Sequence, residues 1–242
     1  MTIEREKRVP NYYPVMLDVR GRSAIVIGGD QIAAEKAAAL AASGARVSAL
    51  SPEFGAEMLT LAERGQVTLR SKGYEPGDLD GAFVVVAATN DAGMIEAIWQ
   101  ETQRRGQPVN IVDVPRYCSF ILPSVLRRGK LTVAVSTEGA SPSLAKRIRQ
   151  QLEEVLPPAY EAYINLAALA RAHLRRQGVS YAVRDEFFRE FMASSILSLL
   201  DAGEIAQALT MISALLQSYG VEVSVSELEQ EFMEEQGYGA ST

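Results

Sequence analysis

The sequence predicts an α/β protein: a parallel sheet wound with helices over roughly the first half, then a two-stranded segment, then a helical remainder. Three observations carry this. Ser23–Ile27 is a short run rich in β-branched residues that meets a glycine turn at Gly28 and Gly29 and then an alanine-rich stretch through residue 42, as a first βα unit does. Residues 82–88 form a continuous apolar run of the kind expected for a parallel strand covered on both faces. After Pro157 and Pro158 every periodic stretch is helical.

Composition bounds the function. With 242 residues, 48% of them hydrophobic, the chain can bury a proper core in one large domain or two small ones. A net charge of -6 and a pI near 5.1 argue against a nucleic-acid surface, whose footprint is basic. The single cysteine, Cys118, excludes an internal disulfide framework, and with no signal-like N-terminus the expected compartment is the cytoplasm. No apolar run is long enough to span a bilayer. The single histidine, His173, lies in a helical run and reads as an ordinary helix residue; it makes neither a His-rich metal site nor a Ser-His-Asp triad alone. Acid–base chemistry therefore falls to carboxylates, lysine, tyrosine or the thiol.

In chain order, residues 1–9 read as a charged, frayed terminus and residues 12–19 as a short edge segment before a turn at 18–22. A helix over 32–43 ends at Gly44, and residues 46–50 form the second strand. Ser51, Pro52 and Glu53 open the next helix, with serine as cap and proline in the first turn. Residues 67–70 are the third strand and 109–113 the fifth, with a helix over Ala92–Arg105 between the fourth and fifth. Residues 119–126 and 131–136 read as two strands joined by a hairpin at 127–130, whose apolar face must be buried, most simply by dimerisation. Ser141 caps a helix that has Pro142 at its first position, and further helices are expected over 159–177, 185–200, 204–218 and 226–236.

The glycine turn places backbone N–H groups of a helix N-terminus where they face a pyrophosphate, so the implied ligand is a dinucleotide. Against G-x-G-x-x-G/A, the chain offers Gly28, Gly29, then Asp30 at the second glycine position, and Ala33 at the third. That motif alone fits a nucleotide site and a plain α/β turn equally. Glu53 is the carboxylate nearest the end of the second strand, where it either serves a ribose or complements a helix dipole. Thr89 and Asn90 follow the fourth strand, as cofactor contacts or as a turn and helix cap, and Asp113 ends the fifth, as a catalytic carboxylate or a turn cap. The hydroxyl-rich loop 137–142 leads into a helix carrying basic residues, an arrangement suited to an anion or simply to a capped helix.

Together, residues 13–18, 26–29, 87–90, 110–113 with 118–124, and 133–142 resemble, in order and spacing, the siroheme synthase family and specifically its precorrin-2 dehydrogenase/sirohydrochlorin ferrochelatase module. The resemblance runs to about Pro157-Pro158. It implies a Rossmann-like, NAD-binding domain over 1–114, a dimerisation segment over 115–156 and a helical domain over 157–242, assembled as a homodimer. It implies NAD-dependent oxidation of precorrin-2 to sirohydrochlorin and, in some members, insertion of ferrous iron. The catalytic aspartate falls on Asp113 and nucleotide contacts on Asp30, Gln31, Ile32, Pro52 and Glu53, joining Gly28, Gly29, Thr89 and Asn90. The tetrapyrrole carboxylates would meet Ser136, Thr137, Gly139 and Ser141 and the basic residues Arg116, Lys146 and Arg149. Two departures make the pyrophosphate region more acidic: Asp30 replaces a third consecutive glycine, and Glu35 replaces an arginine before Lys36. NAD binding is expected to be weak in consequence. The rival readings are a chelatase without dehydrogenase activity and a tetrapyrrole carrier that has lost the nucleotide.

Overall fold

The computed structural model describes residues 12–238, so the expected frayed terminus lies outside the described residues. Among the described residues two compact units are formed, one by residues 12–122 with Glu138–Ala140, the other by Pro123–Thr137 and residues 141–238.

In the first unit, five parallel strands, β1 (Ser23–Ile27), β2 (Arg46–Ser51), β3 (Val67–Ser71), β4 (Val84–Ala87) and β5 (Val109–Ile111), stand in the order β3-β2-β1-β4-β5. Alternation along the strands assigns the faces. Ala24 and Val26 pack with Ala33, Ala34 and Ala37 of α1 (Gln31–Ala42) and Met58 of α2 (Ala56–Glu63), whereas Ile25 and Ile27 pack with Ile95 and Ile98 of α3 (Ala92–Arg105). The small side chains of α1 let that helix lie close on the sheet. The order reverses between β1 and β4, so the crevice at their carboxyl ends is the topological switch point where ligands bind in open α/β sheets.

The loop before β4 is anchored by a buried carboxylate. Glu101 of α3 accepts from the Tyr74 hydroxyl at 2.7 Å and the Gly77 N–H at 3.0 Å, and pairs with Arg105 at 3.1 Å. Burial alone would raise its pKa, but these donors and the arginine hold it below the ordinary value.

Several boundaries differ from the sequence reading. Residues 12–19 form no strand; Tyr13, Val15 and Met16 are exposed and only Val19 is buried. Ser51 is the last residue of β2, and α2 begins at Ala56 behind Gly55, because the intervening chain crosses the β1–α1 turn, where the Gly55 N–H donates to Gly29 O at 2.8 Å. Glu53 therefore precedes α2 and the carboxylate in its first turn is Glu57. β5 stops at Ile111, two residues before Asp113.

The second unit opens with an antiparallel hairpin of β6 (Ser124–Arg128) and β7 (Leu131–Val135), turning through Gly129 in the left-handed region. The hairpin is as expected, but residues 119–123 are irregular because Ser119 is bound instead to Val109. The hairpin packs against α4 (Pro142–Val155) and α5 (Tyr160–Arg176), and Arg128 donates to Leu156 O at 3.0 Å. Ser141 caps α4 by accepting from Leu144 N–H, with Pro142 at its first position. The remaining helices pack around Leu166, Phe187, Phe191, Ile212 and Phe232.

The helix expected over 185–200 is two helices, α6 (Tyr181–Ala193) and α7 (Ile196–Asp201). Ser194 ends the first by donating its hydroxyl to Phe191 O at 2.7 Å and starts the second by accepting from Ile196 N–H. After α8 (Ile205–Ser218), α9 (Val225–Tyr238) starts one residue before Ser226, with the Ser224 hydroxyl accepting from Glu227 N–H. His173 is buried and bonds Glu231 at 2.8 Å, an ordinary satisfied core position. Among the described residues no helix is long and apolar enough to cross a membrane.

Candidate functional site

The registers Ile27↔Leu50, Ile27↔Ala87 and Ala87↔Ile111 bring four turns to one edge of the sheet. These are the turns at Gly28–Asp30, Pro52–Glu53, Thr89–Asn90 and Val112–Asp113, so seven predicted cofactor residues and the predicted catalytic residue share the carboxyl edge, with the other two, Gln31 and Ile32, opening α1 beside them.

Both glycines are required where they stand. Gly28 has φ 130°, and a Cβ there would lie 2.8 Å from Ala88 O and 3.1 Å from the Ala33 methyl. A Cβ on Gly29 would lie 1.9 Å from Glu53 O, so this glycine lets the β2–α2 loop lie directly on the turn. Ala33 is thus the third motif residue in space as well as in sequence. Among the described residues no acceptor takes the N–H groups of Gly29, Asp30, Gln31 and Ile32. Four consecutive free donors at a helix N-terminus, lined by backbone that tolerates no Cβ, fit the pyrophosphate of a dinucleotide.

Asp30 is the N-cap of α1, its carboxylate accepting from Ala33 N–H at 2.9 Å. The side chain is thus held by its own helix. Thr89 likewise serves its own turn, its hydroxyl accepting from Asp91 N–H, while Asp91 caps α3 through Met94 N–H; Asn90 is exposed beside them. Pro52 and Glu53 are exposed, and no carboxylate other than Glu53 stands in the loop that touches Gly29.

Asp113 is exposed, has φ 59°, and its carboxylate has no bonded partner among the described residues. Arg116 follows in a short 3-10 turn, Pro115–Tyr117, with its guanidinium 5.0 Å from the Tyr117 ring centre. Tyr117 in turn donates to Glu96 of α3 at 2.7 Å, a bond that raises the tyrosine pKa and lowers that of Glu96. The sequence reading missed this pair, and it named Cys118 without a role at the turn, where its sulfur accepts from Ile111 N–H at 3.1 Å. The only signal for either was proximity to the Asp113 turn.

The predicted tetrapyrrole contacts are distributed. Gly139, at φ 85°, belongs to the first unit; Ser136, Thr137, Ser141, Lys146 and Arg149 belong to the second. Thr137 accepts from Ser141 N–H at 3.0 Å, Lys146 is exposed, and Arg149 pairs with Glu153 one turn on. Among the described residues no three His, Cys, Asp or Glu side chains are grouped to hold a metal ion.

A doubly covered parallel sheet with a Cβ-free glycine turn at its switch point defines a Rossmann-type dinucleotide-binding protein. Comparison with known proteins agrees. Residues 15–124 match a family described as putative NAD(P)-binding, and residues 128–154 match the sirohaem biosynthesis protein central family. Siroheme synthase of Nitrosococcus oceani is 32% identical over 206 residues, 85% of this chain and 44% of that one. The Pseudomonas entomophila enzyme is 34% identical over 212 residues, 88% of this chain and 46% of that one. This chain thus spans less than half the length of these curated relatives. The solved structure of SirC, a precorrin-2 dehydrogenase, superposes with a TM-score of 0.68 at 30% identity, covering 83% of this chain and 98% of that one. The chain belongs to the siroheme synthase family and corresponds to its precorrin-2 dehydrogenase module.

Proposed function

We propose that this chain catalyses the NAD-dependent dehydrogenation of precorrin-2 to sirohydrochlorin. The observation that carries the reading is a partner-free carboxylate, Asp113, at the same sheet edge as four free backbone donors behind a glycine turn. The N–H groups from Gly29 to Ile32 would hold the pyrophosphate, with Gly28 allowing the approach, Glu53 serving a ribose, and Pro52, Thr89 and Asn90 lining the remainder. Bound NAD supplies the hydride acceptor. Asp113 takes the proton released as the ring carbon gives up its hydride, so two electrons and two hydrogens leave the substrate together. Arg116, in the same unit as Asp113, receives substrate carboxylates.

The functional division follows the sequence: nucleotide binding over 1–114, dimerisation through 115–156, and a helical domain over 157–242. The working form is a cytoplasmic homodimer joined through the hairpin region. Light scattering tests the assembly, and a monomer at micromolar concentration rejects it.

The activity is tested by incubating purified protein with precorrin-2, with and without NAD, and then with ferrous iron. Sirohydrochlorin formed only with NAD, one NADH per turnover, supports the proposal. Siroheme formed from sirohydrochlorin and iron without any precorrin-2 oxidation assigns a chelatase instead, and tight tetrapyrrole binding without conversion assigns a carrier.

A further inference from the structure

Asp113 and Glu138 alone among the described non-glycine residues occupy the left-handed backbone region. A side chain persists there only when its surroundings hold it. Around Asp113 the chain closes on itself. The Ser119 N–H donates to Val109 O at 2.8 Å while the Val109 N–H donates to Ser119 Oγ at 2.7 Å, so the segment leaving β5 returns to the strand's first residue.

Cys118 sits inside this loop, buried, with no other thiol in the chain. Its sulfur accepts from Ile111 N–H at 3.1 Å and lies 3.2 Å from Ile111 O and 3.5 Å from Val114 O. Ile111 and Val114 flank the turn that carries Asp113, and the Val114 N–H closes that turn on Ile111 O at 3.1 Å. One sulfur thus ties both ends of the turn. Burial pushes the thiol pKa up against the opposing pull of the Ile111 bond, which keeps the S–H available as a donor at neutral pH. From outside, the Tyr117–Glu96 hydrogen bond fixes the following 3-10 turn to α3.

We propose that Cys118 is a positioning residue for Asp113: its thiol closes the loop on both sides of the turn and so fixes the direction in which the carboxylate is presented. The role rests on the reading of Asp113 as the proton-transfer group. Serine retains a donor and an acceptor at this place, whereas valine fills a similar volume with neither.

Three variants test it: Cys118→Ser, Cys118→Val and, for the underlying reading, Asp113→Asn. Precorrin-2 turnover, NAD affinity, the pH profile of kcat and amide hydrogen exchange at residues 111–114 are measured on each. Cys118→Val is expected to lower kcat roughly 10- to 100-fold with KM and NAD affinity held within about twofold, since misplacing a reacting group costs rate rather than binding. Its acid limb should move, exchange at 111–114 should rise, and Cys118→Ser should restore most of the rate and the protection. Wild-type kcat in Cys118→Val, or equal loss in Cys118→Ser and Cys118→Val, overturns the proposal. Unchanged turnover in Asp113→Asn overturns the reading of Asp113 instead. In that event unchanged exchange at 111–114 in Cys118→Val also removes Cys118 from the turn, and raised exchange retains its hold on the turn. Should Cys118→Val fail to fold, Cys118→Ser with wild-type rate and protection supports the proposal, and with depressed rate and protection rejects it.

Discussion

Replacing Asp30 by asparagine isolates what its charge does to nucleotide binding. In the structure the carboxylate is spent on the helix it precedes, accepting from Ala33 N–H at 2.9 Å, while the donors from Gly29 to Ile32 stay free. The carboxylate and a bound pyrophosphate then share one helix N-terminus. A single charge at such a terminus is worth about 0.3–1 kcal/mol, so removing the competing charge should tighten NAD binding roughly twofold to fivefold. Asparagine caps about as well as aspartate, so stability should change by only a few tenths of a kcal/mol. Calorimetric titration with NAD at about 20 mM and 200 mM salt reads the effect, which should shrink as screening rises. Asp30→Gly should gain as much as Asp30→Asn if charge is the cause. A hundredfold gain would mean that the cap opens on binding and the carboxylate faces the phosphates, where repulsion at an effective dielectric near 20 reaches about 3 kcal/mol at ~5 Å. Equal affinities of wild type and Asp30→Asn at low salt refute the reasoning.

Gly29→Ala should weaken NAD binding at least about tenfold, because its Cβ would lie 1.9 Å from Glu53 O and must displace the loop that the Gly55 N–H ties to the turn; titration with NAD checks this. Asp113→Asn should slow precorrin-2 turnover roughly 100- to 10,000-fold with little loss of stability, since asparagine tolerates the left-handed backbone, whereas Asp113→Ala should also cost about 1–2 kcal/mol in urea unfolding. Glu101→Gln should destabilise by about 2 kcal/mol at pH 7, because an amide sets a donor against either Arg105 or the Tyr74 and Gly77 donors. The folded-state pKa of Glu101 lies below its ordinary 4.5, so its contribution is present above that value and is lost as pH falls through the depressed one; urea midpoints of wild type and Glu101→Gln should converge in acid.

How much of this was legible follows from the range of each interaction. Strand and helix identities came through because alternation and helical periodicity are local: the faces of β1 divide cleanly between α1 and α3, as the sequence of Ala24 to Ile27 requires. The start of α2 did not, although Ser51 and Pro52 form a sound local helix signal, because that stretch is drawn across Gly29 by a contact more than 20 residues away in sequence. The break at Ser194 is the reverse case. Its cause is local, a serine hydroxyl competing for backbone groups, yet a hydrophobic periodicity that runs on through both helices conceals it.

In the site, the placing of residues along the carboxyl edge of the sheet was legible and their conformation was not. Asp113 could be found from its place after an apolar strand, but nothing in a sequence announces that an aspartate will take φ 59°. That angle accompanies the closure of residues 109–119, in which the Cys118 sulfur and Ser119 bond back to a strand that stops at Ile111. The same logic applies to Asp30. Read alone it is a charge in the wrong place for a pyrophosphate; in the fold it is the cap that α1 would otherwise lack, the glycine it replaces having no side chain with which to cap. The carboxylate thus gives α1 its cap at the same N-terminus that presents the free N–H groups. Glycine at this position would leave the Ala33 N–H without its side-chain acceptor, while with aspartate in place the four N–H groups from Gly29 to Ile32 stay free among the described residues.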